Sequence, residues 1–244
     1  MMALQRLPAR AGTKSRVKEA TSLPQIPALL QFLEGLAANN NRSWFLHNKP
    51  QHEILHEEFI ALVEAVGTRV RAHDPAVEAF DTAKAVYRIH RDVRFTADKS
   101  PYKTHMGGVI GTRNVADKSR PIYYFQIDRL GILTMTAGIY LPPADVLQQI
   151  RNHIVAKPHL LTSLLADSHF LKSFGGFSAA DRLTRPPKGY APDLPHVELI
   201  MNRHFICEAT VNLKAAPVTD LALAISTRFE TAAPMMAWLR SVKK

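Results

Sequence analysis

The sequence predicts an α+β fold: a single domain with a mainly antiparallel sheet flanked by N- and C-terminal helices. Three observations carry this. Helical periodicity fills both ends of the chain, and the middle switches to alternating apolar and polar residues. The alternating segments are joined by turns shorter than the ~12-residue crossover that parallel neighbours need, so they pair antiparallel.

Residues 24–38 read as a helix, with Leu29, Leu33 and Leu36 on one face and Pro27 tolerated in the first turn. Asn39-Asn40-Asn41 ends it, because asparagine accepts the left-handed conformation that closes helices. Arg42-Ser43-Trp44-Phe45 then places two large aromatics beside a cation. A second helix runs from about residue 48 to 73 along Leu55, Phe59, Leu62, Val63, Val66 and Val70, and Asp74-Pro75 stops it.

Strands are expected near 86–92, 106–112, 122–128 and 132–140, forming a meander. Helices follow over 144–156 and, in two pieces, over 158–174. Residues 175–195 are irregular and rich in proline and glycine. A short helix near 196–203, a strand near 205–211 and a last helix over 219–240 complete the chain, with a kink or break expected at Pro234.

The net charge of +10 divides unevenly. Residues 1–20 contribute +4 and the other 224 residues +6. Residues 1–22 therefore read as a disordered basic tail, and 23–244 as the folded domain. A moderately basic body favours anionic ligands without establishing nucleic-acid binding. No apolar run approaches the ~18 residues of a membrane span, and the single cysteine excludes an intramolecular disulfide framework. These features point to a cytoplasmic protein that does not bind membranes. Neither a cofactor nor an oligomeric state is legible, and no phosphate-cradling loop or dinucleotide fingerprint is present.

The most unusual stretch spans residues 87–105. As a strand, Tyr87, Ile89, Val93 and Phe95 form an apolar face, and Arg88, His90, Asp92 and Arg94 a polar one. Arg91 breaks the pattern, so either a bulge re-aims it or a buried carboxylate pairs with it. Arg88, Arg91, Arg94, Lys99 and Lys103 stand against only Asp92 and Asp98. The sharper reading is an anion pocket of guanidinium forks, with Tyr102 on the adjoining loop and Arg185 and Lys188 as a second wall. The plainer one is a solvated face of local ion pairs.

His52-Glu53-Ile54-Leu55-His56 matches the H-E-x-x-H zinc pattern. His52 falls on the apolar helix face and no third ligand is selected, so no metal site is expected. Cys207 sits on the apolar face of its strand and reads as a small buried hydrophobe.

The chain resembles the family of domain of unknown function 2461. The likeness rests on Phe32-Leu33-x-x-Leu36-x-x-Asn39-Asn40-Asn41-Arg42-x-Trp44-Phe45, on the motif from Tyr87 through Arg91-Asp92-Val93-Arg94-Phe95 to Asp98-Lys99-Ser100-Pro101-Tyr102-Lys103-Thr104, and on Arg185-x-Pro187-Lys188-Gly189-Tyr190. It covers roughly residues 25 to 240. Two departures stand out: Ala137-Gly138 replaces a Gly-Gly pair, and His90 stands where an aromatic or asparagine is more usual. The resemblance implies a compact intracellular domain and no particular activity.

Two function classes stay open. One is an enzyme acting on a small phosphorylated or carboxylated substrate, with Asp92 or His90 as acid or base. The other is a non-catalytic module binding an anionic metabolite or nucleic acid, with Arg42, Trp44, Tyr102 and Tyr190 contributing cations and stacking surfaces.

Overall fold

A computed structural model describes residues 24–111 and 117–242. The expected basic tail, residues 1–22, lies outside the described residues. The N-terminal part is helical: α1 (Ile26–Ala38), α2 (Arg42–His47), α3 (Lys49–His73) and a single turn, α4 (Thr82–Ala85). Strands β1 (His105–Ile110), β2 (Ile122–Asp128) and β3 (Ile132–Ile139) follow. Next come α5 (Ala144–Ala156), α6 (Pro158–Leu165), α7 (Ser168–Phe174) and α8 (Val197–Ile200), then β4 (Phe205–Asn212) and α9 (Leu221–Ser241).

The sheet is antiparallel throughout, in the order β1-β2-β3-β4. Alternation is cleanest in β2, where Tyr123, Phe125 and Ile127 are fully buried and their neighbours half-exposed. That inner face carries α3 and α9, which also pack on each other. Two glycines make β1 thin enough for neighbours on both sides. A Cβ on Gly108 would come within 2.4 Å of Val63 on α3, and one on Gly107 within 2.5 Å of the Tyr124 hydroxyl. Among the described residues, no helix is long and apolar enough to cross a membrane.

Each asparagine of the Asn39-Asn40-Asn41 run has its own task. Asn39 donates from Nδ2 to the Gly35 carbonyl, closing α1 at 3.0 Å. The Asn41 side chain accepts from the Trp44 N–H at 3.0 Å and starts α2, a six-residue helix not anticipated from the sequence. Asn40 reaches across to the loop before β1. The Trp44 indole packs on Gly35, where an added Cβ would lie 2.9 Å from the ring.

Two expectations need correction. Residues 86–92 are not a strand; they make two isolated bridges, Val86–Gly108 at the edge of β1 and His90–Tyr102 in the loop before it. The Arg91 N–H donates to the Pro101 carbonyl at 2.9 Å, but proline has no N–H to extend the ladder. Asp92 then accepts from the Arg94 N–H at 3.3 Å, a local turn that ends the alternation and leaves Phe95 91% exposed. Of the kink or break expected at Pro234, the break is absent: α9 continues through the proline and packs against α3, β3, α6 and α7.

Candidate functional site

The corrected path of residues 86–104 creates a cleft. Its walls are the C-terminal end of α1, the loop leading into β1, and the turn between β2 and β3. It encloses about 620 Å³, within the usual range for small-molecule sites. Asn40 fixes its back wall: Nδ2 donates to the Tyr102 carbonyl at 2.9 Å, and Oδ1 accepts from the Tyr102 N–H at 3.0 Å. The Tyr102 ring is buried and stacked on Phe45 at 4.2 Å, so it anchors the loop and is no free stacking platform.

Arg91 lies at the neck of the loop. Its Nη1 bonds the Asp98 carboxylate and donates to the Ser100 carbonyl at 3.2 Å. The partner of the pattern-breaking arginine is thus a carboxylate, but a largely exposed one. Asp98 also accepts from Ser100 N–H and Oγ at 2.9 and 2.6 Å. Those bonds, then the guanidinium, hold its carboxyl well below the usual range.

Two cations in the cleft have no carboxylate partner among the described residues. Lys103 is half-buried, its ammonium 5.2 Å from the Tyr87 ring centroid, and burial followed by the charge of Arg88 pushes its pKa down. Arg129 projects from the β2–β3 turn, where its N–H donates to the Thr104 carbonyl at 3.0 Å. Beside them stands His105, whose pKa is lowered by burial and then by Lys103. Both effects favour its neutral form. On the opposite wall Glu34 is neutralised by Lys214 at 2.6 Å.

Of the residues singled out from the sequence, Arg91, Asp98, Tyr102 and Lys103 line this cleft. Arg88 stands outside the lining and acts through its field on Lys103. Asp92 and Arg94 form a bidentate surface pair at 2.9 and 2.7 Å, with the guanidinium 5.6 Å from the Phe95 ring centroid. Lys99 donates to the Val93 carbonyl at 2.9 Å. His90 packs its ring near Phe45 and Tyr102. Arg42, Trp44, Arg185 and Lys188 are not in the lining either, and of the five central cations Arg91 and Lys103 are the two that are. Tyr190 bonds Gln148 and Asn152 on α5 instead.

His105, Arg129 and Asn40 were missed. They come from three separate segments: His105 and Arg129 meet because His105 pairs with Asp128 in the sheet, and Asn40 is brought in by its two bonds to Tyr102. The expected β1–β2 hairpin held that signal, since it sets the start of one strand beside the end of the other.

His52 and His56 stack at 5.7 Å, with His52 also against Phe32 and Phe45. Among the described residues, no group of three or more His, Cys, Asp or Glu could hold a metal ion. Cys207 is fully buried, and burial pushes its thiol up to about 12.

The family model described as "Conserved hypothetical protein (DUF2461)" matches residues 28–238. The chain belongs to this family. The match takes in the whole sheet, the cleft and most of α9, so the site is part of the family's domain. No curated protein and no solved structure gives a significant match.

Proposed function

We propose that the cleft is the active site of an enzyme for a small carboxylated or phosphorylated molecule. Lys103 and Arg129 are its anion clamp and His105 its proton acceptor. The observation that carries this reading is the pair Lys103 and Arg129, two cations without a carboxylate partner among the described residues, which line one concave space. Arg91, held by Asp98 and Ser100, adds a third positive charge whose position is set before any ligand arrives. His105 is the cleft group left to accept a proton, since burial and Lys103 favour its neutral form and the two carboxylates are held by cations. A compartment of this size suits a compact ligand better than a nucleic-acid strand, which needs a groove along its backbone.

A second reading, a non-catalytic module for an anionic metabolite, draws on those same carboxylates. Asp98 and Glu34 are both locked in ion pairs, which leaves acid–base work to a single histidine. The test is thermal unfolding against a panel of phosphates, nucleotides and dicarboxylates. A ligand at 100-fold its Kd adds about 2.7 kcal/mol, hence an upward shift of roughly 5–10 °C for a domain of this size. Lys103→Met and Arg129→Gln should abolish the shift. Turnover of the stabilising ligand that disappears in His105→Gln, with binding retained, selects the enzyme reading. Binding without turnover selects the module.

A further inference from the structure

The sheet face turned away from α3 and α9 carries a second cavity, of about 290 Å³. Register builds it. Across β2, β3 and β4, one row reads Ile122, Gly138, Ile206 and the next Tyr124, Thr136, Glu208. Gly138 is the floor, with a φ of +130° and no side chain to fill the space. Tyr124 rises on one side, Glu208 on the other, Tyr140 closes the end of β3, and Tyr87 leans in over the β1 edge.

The walls are held in place. The Tyr124 hydroxyl donates to Gln126 Oε1 at 2.7 Å, and its ring crosses Gly107, where any Cβ would collide with it. The Tyr87 N–H donates to the Gly107 carbonyl at 2.9 Å, setting the Tyr87 and Tyr124 ring centroids 5.7 Å apart. Tyr140 packs on the buried His204 ring at 5.3 Å.

The charge inside this cup is unusual for a basic chain. Glu208, at the exposed rim, has no cationic partner among the described residues and accepts a long hydrogen bond from the Thr136 hydroxyl at 3.5 Å. Three electron-rich rings and an uncompensated carboxylate attract a cation, and the Tyr87 ring already holds one in the Lys103 ammonium. We propose that the cup binds an alkylated ammonium group, the head of a small quaternary or trimethylated amine. A primary ammonium is compact and strongly hydrated, and most of the cup's lining is ring and aliphatic surface that cannot replace that water. Methyl groups instead match the Ile122 and Ile206 flanks and the ring faces. The cup and the anion cleft share no lining residue, and the Lys103 ammonium lies against the Tyr87 ring between them.

The test is calorimetric titration of the full chain with choline and with its neutral isostere 3,3-dimethylbutanol. Choline should bind at least tenfold tighter than the isostere. Glu208→Gln should weaken choline about tenfold and leave the isostere unchanged, whereas Tyr140→Ala should weaken choline about tenfold and the isostere by less. Tyr140 is 54% exposed, so its loss spares the fold, and a far-ultraviolet spectrum checks that. A trimethyllysine peptide and phosphatidylcholine vesicles, run alongside, separate the sources of the same headgroup. Binding of either that is tight while free choline binds no better than its isostere overturns the small-amine assignment. No choline binding at millimolar concentration, or equal binding by native protein and both variants, overturns the site.

Discussion

The side-chain amide of Asn40 forms a two-point bridge to the backbone of Tyr102, sixty-two residues away, donating at 2.9 Å and accepting at 3.0 Å. This contact ties the end of α1 to the loop that carries Lys103 into the cleft. Asn40→Asp keeps the acceptor but faces the Tyr102 carbonyl with a second oxygen, so both bonds should not survive. The expected loss is about 1–3 kcal/mol in chemical denaturation, together with weaker anion binding. Asn39→Ala, which removes a bond only from the exposed end of α1, should leave anion binding intact.

The Asp74 carboxylate is only 5% exposed and accepts from Tyr123 Oη at 2.7 Å and from Arg240 Nη2 at 2.6 and 2.5 Å. The interaction joins the ends of α3 and α9 to the sheet. Arg240→Ala leaves a buried charge without its partner and should cost about 3 kcal/mol. Tyr123→Phe should cost nearer 1 kcal/mol. Adding Asp74→Asn to Arg240→Ala should recover part of the loss, which a double-mutant cycle in urea measures.

His52 sets an acid limit. Burial among Phe32 and Phe45, then the neighbouring His56, lowers its pKa from 6.5 to about 4. The fold thus favours the neutral ring. Above pH 6.5 neither state is protonated and nothing is lost. Between 6.5 and 4 the unfolded chain takes up a proton that the folded chain refuses, so stability falls as pH falls. The loss is at most about 3 kcal/mol at the lower end. His52→Phe should flatten that part of the profile, read as the difference in urea midpoint between pH 7 and pH 4.5.

Gly138 is the backbone position least able to change. A Cβ there would lie 2.0 Å from the Phe205 carbonyl oxygen of β4, and its φ of +130° is strained for any side chain. Gly138→Ala should destabilise by more than about 4 kcal/mol or prevent folding. Gly107→Ala meets the Tyr124 side chain and no backbone atom, so it should cost less, about 1–3 kcal/mol in the same assay.

Helices such as α3 and α5, and strands β2, β3 and β4, were legible because each buries one periodic face, and period is a local property. Residues 86–92 misled for a physical reason. Tyr87 and Ile89 do turn toward the protein, but a strand needs a partner able to pair throughout, and Pro101 cannot donate. The turns made by Asp92 with Arg94 and by Asp98 with Ser100 use side-chain acceptors that compete with strand pairing, and that chemistry was visible. Arg91 and Lys103 drew attention as charges in an apolar pattern. Arg129 and His105 did not, because each is ordinary in its own segment and becomes a neighbour of the other only through sheet register.

The claim that Lys103 and Arg129 form one anion site, and that Arg94 is outside it, is tested most directly by a binding isotherm. The ligand is the panel compound that stabilises the native chain most, titrated into native protein, Lys103→Met, Arg129→Gln and Arg94→Ala. The site described here predicts at least tenfold weaker binding in the first two variants and native affinity in Arg94→Ala, whose guanidinium is held by Asp92 on the surface. Native affinity in Lys103→Met and Arg129→Gln, or a loss confined to Arg94→Ala, would contradict it.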